Sequence, residues 1–301
     1  MTAITISEKG SLDNIQVQDL DVPTPNAGQV LVRVHACGIN PVDWKGVING
    51  IFQMPHIIGT DIAGVVEQVG ADVTTFAVGD EVIGSLEWAK QGAFAEYIVT
   101  EPEHLALKPT NLSFAEAAAI PLAGLTAWQG LFDKLTIQPG HKVLIQAAAG
   151  GVGYFAVQLA KWKGARVVAV ASEKNEAFVR EAGADEVVDY HDGYDSLPAD
   201  FDAVFDSMGT SAQTIPLLKP GGRYVTITAK PVEGLAEQHG ITAQHFLFHA
   251  DAEQLKQLVG LIEQGVLKVV IDRQFALTAA KEALAYQKLG HSKGKNVLLV
   301  Q

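Results

Sequence analysis

The most informative stretch of this chain is "KVLIQAAAGGVGYFAVQLAKWKG", residues 142–164. A β-rich apolar run leads into a glycine cluster, which leads into an amphipathic helical pattern. In this order the N–H groups and positive end of a helix can face a pyrophosphate. The alternative is a tight strand-to-helix turn without a ligand. Against the pattern G-x-G-x-x-G, alanine stands in the first place, Ala148, which only has to make a tight turn. The predicted cofactor contacts are Gly150, Gly151, Val152 and Gly153.

Strand and helix patterns alternate on both sides of this loop. Helical patterns begin near Ser113, which forms a Ser-x-x-Glu capping box with Glu116. Pro121 interrupts the helical spacing that follows. Such alternation predicts a parallel sheet with helices on both faces. The first hundred or so residues instead read as short strands, with loops at proline- and glycine-containing segments such as "INPVDWKG".

Composition limits the classes of function. The formal net charge of −12 argues against a nucleic-acid partner, because such proteins neutralise phosphates with Lys and Arg. Cys37 is the only cysteine of the chain, which excludes an intrachain disulfide and a cysteine-built zinc site. The N-terminal "MTAITISEKG" has no long apolar core, and no later run has the length of a membrane helix. We therefore expect a cytoplasmic protein with no membrane partner.

The choice between NAD and NADP depends on the end of the strand pattern in "GARVVAVASEK". NAD enzymes usually place a carboxylate there, about 20 residues beyond the glycine motif, for the ribose 2′-OH. Here the position falls on Ala171, with Ser172 and Lys174 close behind, and a hydroxyl and a cation suit a 2′-phosphate. Glu173 supports the opposite choice, and Lys174 could be an ordinary exposed lysine. We predict NADP(H), bound by Ser172 and Lys174.

Segments in the same order along nearly the whole chain carry a family resemblance. They include "GINPVDWKG", "IIGTDIAGVVEQVG", "GDEVIG", "PLAGLTAWQGL", "VLIQAAAGGVG", "AGADEVVDY", "LKPGGRYVTI" and "HSKGKNVLLV". Together they resemble the medium-chain dehydrogenase/reductase superfamily, and within it the zinc-free NADPH:quinone reductases and enone (alkenal) reductases. The resemblance implies an α/β fold: a GroES-like β domain at 1–115 and 267–301, and a Rossmann doubly wound parallel-sheet domain at 116–266. It also implies a homodimer.

The zinc ligands of the superfamily's alcohol dehydrogenases can be compared residue by residue. Where those enzymes have the first cysteine ligand, this chain has Asn40. Their His-Glu pair corresponds to Thr60-Asp61, and their second cysteine to Leu122 or a neighbour. An amide, a hydroxyl and an alkyl group do not make a tetrahedral zinc site. We expect no bound zinc.

The resemblance also implies roles for individual residues. Lys45 and Asn40 are the catalytic candidates, with Lys45 as donor or electrostatic stabiliser, although a surface lysine on a turn is an equal alternative. Trp44 and Thr60 are the substrate-contact candidates. Further cofactor contacts are assigned to Asn40 and Thr126 at the nicotinamide, to Tyr190, Lys293 and Lys295 at the 2′-phosphate, and to Thr228, Phe246 and Phe248. Apolar core is equally plausible for the two phenylalanines.

These expectations lead to one predicted reaction and two alternative functions. Without zinc, the chemistry that fits is hydride transfer from NADPH to a quinone or an α,β-unsaturated carbonyl, which needs positioning, a dry pocket and a donor near the carbonyl oxygen. The small-molecule quinone or enone is the expected partner. The first alternative is a non-catalytic NADPH-binding protein, either a redox sensor or a structural protein. The second is an alcohol dehydrogenase-like enzyme that lacks zinc.

Overall fold

The structure is a computed structural model that describes residues 1–87 and 92–300. Its strands are β1 (Thr2–Ile6), β2 (Ile15–Asp19), β3 (Val30–Ile39), β4 (His56–Ile57), β5 (Asp61–Val69), β6 (Glu81–Ser85), β7 (Tyr97–Thr100), β8 (Leu105–Leu107), β9 (Lys142–Ile145), β10 (Arg166–Ala171), β11 (Glu186–Asp189), β12 (Phe201–Asp206), β13 (Leu218–Thr226), β14 (Thr242–His245), β15 (Ile271–Ala276) and β16 (Lys295–Leu299). Its α-helices are α1 (Pro41–Asn49), α2 (Phe114–Ala118), α3 (Pro121–Trp128), α4 (Gly151–Trp162), α5 (Glu176–Glu181), α6 (Ser211–Thr214), α7 (Leu235–Gln238), α8 (Ala252–Glu263) and α9 (Ala280–Lys288).

The chain divides into two compact units. The second unit, Thr126–Phe248 with Val266–Lys268, contains a six-stranded sheet in the order β11-β10-β9-β12-β13-β14. All of its strand pairs are parallel. This is the doubly wound order in which the chain starts at the centre, β9, and winds outward in both directions. The strands read as continuous apolar runs because a parallel sheet is buried on both faces.

The first unit contains Met1–Leu125, His249–Gly265 and the chain from Val269 onward. Its main sheet has the order β15-β16-β3-β5-β6-β8, with β7 also paired to β3, and a smaller sheet has the order β2-β1-β4. The C-terminal strand β16 pairs antiparallel with β3, so that Asn296 lies opposite Ile39. The family resemblance implies that the chain end returns to the N-terminal unit, and here main-chain hydrogen bonds between β16 and β3 make that connection.

The boundaries between the units differ from the predicted 116–266. The helix α8 belongs to the first unit, where the Glu263 carboxylate accepts hydrogen bonds from N–H and Oγ1 of Thr110, each at 3.1 Å. Residues Val266–Lys268 belong to the second unit, where the N–H of Lys268 donates to Oε1 of Gln158 at 2.7 Å. A helical sequence pattern shows that one face is buried, but not which core buries it.

The segment "INPVDWKG" is helical, and the prediction of a loop is wrong. Pro41 occupies the first turn of α1, where a missing N–H costs nothing, and the Asp43 carboxylate accepts a hydrogen bond from the N–H of Asn40 at 2.7 Å. Gly50, in the left-handed conformation with φ 69°, ends the helix. Pro41 and Gly50 are therefore the start and stop signals of this helix, and Gly46 of the quoted segment lies inside it.

Within residues 1–87 and 92–300, none of the helices has the length and apolar character that crossing a bilayer requires.

Candidate functional site

The loop between β9 and α4 turns at Ala147. This residue has a left-handed φ of 48°. The sequence pattern predicts the tight turn at Ala148, and the structure has it one position earlier. The Ala147 carbonyl accepts a hydrogen bond from the N–H of Gly150 at 2.9 Å. A Cβ on Gly153 would lie 2.2 Å from the Ala147 oxygen and 2.7 Å from Cα of Ala148. The packing of the turn on the helix therefore requires a glycine at 153.

Gly150 has no such packing requirement. Its φ of −80° and ψ of 174° suit any residue, and among the described residues a Cβ there would approach only the Ala147 oxygen, at 3.3 Å. As the N-cap of α4, Gly150 has no side chain to satisfy the free N–H groups of the first helical turn, which includes the half-buried Gly151 and Val152. Open space in front of an uncapped helix N-terminus fits the pyrophosphate of a dinucleotide.

Two buried polar atoms lie at the carboxyl edge of the parallel sheet. Oε1 of Gln146, directly after β9, and Oγ of Ser207, directly after β12, have no hydrogen-bond partner among the described residues. The winding direction reverses between β9 and β12, and ligands of doubly wound sheets bind at that point. Unpaired buried polar atoms fit a polar ligand there. Neither residue is among the predicted site residues, although each directly follows an observed strand, β9 or β12.

Asp206 fixes the loop that follows β12. Its fully buried carboxylate accepts hydrogen bonds from the N–H groups of Met208 (2.6 Å), Gly209 (2.8 Å) and Thr210 (2.8 Å). The hydroxyl of Tyr224, on the neighbouring strand β13, donates to the same carboxylate. Burial and the hydrogen bond to Asp206 both raise the pKa of Tyr224, so the phenol stays protonated. The edge of the sheet beside Ser207 is therefore held rigidly.

The predicted 2′-phosphate residues of the second unit gather at the ends of two neighbouring strands. Ala171 of β10 pairs with Asp189 of β11, which places Ser172 and the half-exposed Tyr190 next along the two strands. Lys174 follows in an exposed turn. The Asp189 carboxylate accepts the N–H of Glu173 at 2.7 Å, and main-chain hydrogen bonds from His191 and Glu173 lower its pKa. That carboxylate is thus engaged by main-chain donors.

The remaining candidates of the second unit lie near the ends of β13 and β14. Oγ1 of the exposed Thr228 lies 3.3 Å from Oγ1 of Thr226. The N–H of Phe246 donates to the Thr226 carbonyl at 3.1 Å, and its side chain is buried, whereas Phe248 is half-buried. Thr126 is 4% exposed and is the first residue of this unit. Their contacts with a cofactor stay predictions.

The first unit contains a buried polar cluster that sequence reasoning did not find. Lys295, 5% exposed, donates from Nζ to the main-chain oxygen of Ile39 at 2.7 Å and to Oδ1 of Asn40. Nδ2 of Asn40 donates to Oδ2 of Asp61 at 2.8 Å and to Oγ1 of Thr60 at 3.2 Å. The cluster therefore runs from the last strand, through the end of β3, to the start of β5.

A second carboxylate completes this cluster. The Thr60 hydroxyl donates to Oδ1 of Asp43 at 3.0 Å, and the N–H of Leu122 donates to Oδ1 of Asp61 at 3.1 Å. We call Asn40, Asp43, Thr60, Asp61 and Lys295 the buried polar cluster. Every member is at most 5% exposed. Each of its charges is therefore stabilised by protein groups rather than by water.

Burial sets the protonation of the buried polar cluster. It raises the pKa of Asp43 to about 7 and raises the pKa of Asp61, because a desolvated carboxylate prefers its neutral form. It also lowers the pKa of Lys295, while the charges of Asp61 and Asp43 act in the opposite direction. Two carboxylates and one ammonium thus compete for protons inside the first unit.

Three predicted site residues lie inside the buried polar cluster instead of on an accessible surface. Lys295 was expected at a 2′-phosphate, but its ammonium is buried and bonded to Ile39 and Asn40. Thr60 was expected to contact substrate, but it is fully buried and bonded to Asp43. Asn40 was expected at the nicotinamide and in catalysis, but both ends of its amide are engaged within the buried polar cluster. The family resemblance assigns these polar residues to a ligand, whereas in the folded chain their side chains form hydrogen bonds with other protein groups.

Trp44 and Lys45 lie on α1, directly after the cluster residue Asp43. Trp44 is half-buried against the core of the first unit, and Lys45 is half-buried beside it, with Nζ 5.7 Å from the Trp44 ring centre. Nζ of Lys288, from α9, lies 5.9 Å from the same ring. Lys45 is therefore a helical residue, not one on a turn. Lys293 is half-buried, and its predicted phosphate contact stays a prediction.

The residues at the positions that correspond to the zinc ligands of alcohol dehydrogenases are hydrogen-bonded to one another. Asn40, Thr60 and Asp61 belong to the buried polar cluster, and Leu122 contributes its main-chain N–H. In the part of the chain that the structure describes, no group of three or more His, Cys, Asp or Glu side chains is arranged to hold a metal ion.

Comparisons with known proteins agree with this architecture. The family profile described as "Alcohol dehydrogenase GroES-like domain" matches residues 26–110, and the profile "Zinc-binding dehydrogenase" matches residues 182–298. The chain is 36% identical to a 2-methylene-furan-3-one reductase of Solanum lycopersicum over 99% of this chain and 79% of the relative. Identity and coverage are the same for an Arabidopsis thaliana protein named NADPH-dependent alkenal/one oxidoreductase, chloroplastic.

Among solved structures, a quinone oxidoreductase from Coxiella burnetii matches with a TM-score of 0.92 and 33% identity, over 100% of this chain and 99% of that one. The chain belongs to the medium-chain dehydrogenase/reductase superfamily. The fold expected of a medium-chain dehydrogenase/reductase, a GroES-like unit with a Rossmann unit, is confirmed. So is the resemblance to the quinone and enone reductase branch of the superfamily.

Proposed function

We propose that this chain is an NADPH-dependent, zinc-free oxidoreductase that transfers a hydride to an enone or a quinone. One observation carries the proposal: the loop after β9 leaves space at Gly150 in front of an uncapped helix, in a chain whose relatives are named for reducing such compounds. When bound, NADPH supplies the hydride. The protein then has to hold the cofactor, exclude water and stabilise the charge that develops on the carbonyl oxygen.

The second unit holds the cofactor in this proposal. The first N–H groups of α4 bind the pyrophosphate, and the atoms left unpaired on Gln146 and Ser207 receive polar groups of the dinucleotide. Ser172, Lys174 and Tyr190 receive the 2′-phosphate. The engaged state of Asp189 supports NADP over NAD, because this carboxylate already accepts main-chain N–H groups instead of facing a ribose hydroxyl.

The first unit supplies the catalytic charge. The Lys45 ammonium stabilises the negative oxygen of the reduced enone, and the Trp44 ring forms an apolar wall beside it. The zinc-free assignment rests on the donor set: an amide, a hydroxyl and the Lys295 ammonium lie together where the superfamily's alcohol dehydrogenases place zinc ligands. Elemental analysis that finds zinc at one equivalent per chain in purified, active protein would overturn this part.

The test compares NADPH with NADH, each with one enone and one quinone, by following the loss of reduced-cofactor absorbance. We expect turnover with NADPH at a higher kcat/KM than with NADH. Lys45→Met should lower kcat by about a hundredfold, the scale of one lost oxyanion donor, and Lys281→Met, which removes an exposed lysine paired with Asp13, should leave it unchanged. Tight NADPH binding without oxidation by any acceptor would refute the enzymatic proposal.

A cytoplasmic location and a homodimeric state remain part of the proposal. Both come from the sequence and the resemblance. Cell fractionation and a sizing column coupled to light scattering test them, and a monomer at working concentration would refute the second.

A further inference from the structure

Lys295 is an ammonium inside a protein core. It lies on β16, and its Nζ reaches across to the last residue of β3, Ile39, and to Asn40, where the chain turns into α1. Lysine is almost never this buried without partners, since desolvating its charge is costly. The partners here are a main-chain oxygen, an amide oxygen and the charges of Asp43 and Asp61. Oxygen donors with carboxylates are the surroundings in which proteins hold hard cations.

The ammonium determines the orientation of the Asn40 amide. Because Lys295 can only donate, the amide must turn Oδ1 toward it, which directs Nδ2 to Thr60 and Asp61. The Thr60 hydroxyl then donates to Asp43. The hydrogen-bond directions of the whole buried polar cluster thus follow from one cation.

The buried polar cluster is also the base of α1. The Asp43 carboxylate accepts the N–H of Asn40 at 2.7 Å and closes the first helical turn, and Trp44 and Lys45 follow immediately. We propose that Lys295 is a positioning residue, a tethered cation that holds the junction of β3 and α1 and thereby places Trp44 and Lys45. The functional consequence rests on the role proposed above for Lys45.

A charge-matched double variant separates positioning from charge balance. Lys295→Met with Asp43→Asn has the same formal charge in the cluster as the natural chain, and Asp43→Asn alone is its reference. If Lys295 only balances charge, the double variant will have a kcat no lower than that of the reference, because it restores the formal charge of the natural cluster. Positioning instead predicts a kcat about tenfold to a hundredfold lower, because the donations to Ile39 and Asn40 are missing. The Kd for NADPH should change by less than about twofold, because the predicted cofactor loop belongs to the other unit.

Two further measurements decide the proposal even if the double variant folds poorly. In Lys295→Ala, n-propylammonium replaces the missing part of the side chain, and we expect it to restore kcat, whereas the trimethylated analogue, with no N–H to donate, does not. If both amines restore kcat, or if neither does, the proposal that Lys295 acts as a tethered cation is overturned. Lys281→Met, on an exposed ion pair, is the control that neither amine should affect.

Trp44 emission reports on α1 without any turnover. It is measured as the difference between each protein and its Trp44→Phe counterpart. We expect a red shift in Lys295→Ala that n-propylammonium reverses, and an unshifted spectrum overturns the proposal. If the natural chain oxidises no NADPH with any enone or quinone, the proposed function fails, while this emission still tests the placement of α1.

Discussion

Replacing Gly150 by alanine should weaken cofactor binding while leaving the fold nearly intact. The backbone at Gly150, with φ −80° and ψ 174°, is one that alanine adopts, and within residues 1–87 and 92–300 the new Cβ would approach only the Ala147 oxygen, at 3.3 Å. The remaining cost is the loss of glycine as N-cap, at most about 1 kcal/mol. The methyl group would project into the space proposed for the pyrophosphate. We expect a Kd for NADPH at least about tenfold higher, equivalent to about 1.4 kcal/mol.

Gly153→Ala is the matched comparison on the same loop. Its Cβ would lie 2.2 Å from the Ala147 oxygen and 2.7 Å from Cα of Ala148, both main-chain atoms, so the turn or the helix has to move. Overpacking of this kind costs about 1–3 kcal/mol of unfolding free energy. The two variants should therefore separate: Gly150→Ala loses affinity, and Gly153→Ala loses stability and, with it, affinity.

The assay is a fluorescence titration with NADPH together with urea unfolding of the cofactor-free protein, followed by circular dichroism. The reasoning fails if Gly150→Ala binds NADPH as tightly as the natural chain. It also fails if Gly153→Ala unfolds at the urea concentration of the natural chain, because the close approach would then be absent in solution.

Three more outcomes follow from the contacts. The pKa of Asp43 is raised to about 7, so the folded chain holds a proton that the unfolded chain releases near pH 4. Stability should therefore fall by up to about 4 kcal/mol as pH rises from about 4 through 7, and parallel urea-midpoint curves for the natural chain and Asp43→Asn would contradict this. Lys174→Ala should raise the KM for NADPH about tenfold and leave that for NADH unchanged, whereas Lys219→Ala, at the amino end of β13, should change neither; equal loss for both cofactors would argue against a 2′-phosphate contact. Asp206→Asn should lower the unfolding free energy by about 2–4 kcal/mol, because the new amide would face N–H donors, and a midpoint within error of the natural chain would refute this.

Local sequence patterns were enough to predict the glycine loop between β9 and α4. The run before Gln146, the glycines at 150 and 153 and the amphipathic stretch after them predict the order of β9, loop and α4 that the structure contains. Strand and helix periodicity are properties of neighbouring residues, so they can be read without the fold. The same reasoning fails at α1, because Pro41 and Gly46 predict a loop, whereas Pro41 stands in the first turn of a helix and Gly46 lies inside that helix.

Burial in the first unit could not be read from the pattern. Lys295 belongs to a polar "HSKGK" segment and was expected to meet a phosphate, yet the pairing of β16 with β3 brings its ammonium to Asn40, 255 positions away in the chain. Thr60 was likewise assigned to a substrate, whereas it lies inside the same cluster. The amino-acid sequence was sufficient for the superfamily fold, for the position of the glycine loop between β9 and α4, and for the absence of cysteine and histidine at positions 40, 60 and 61. Which polar side chains are buried against one another and which stay exposed required the tertiary structure, because burial depends on contacts between strands far apart in the chain.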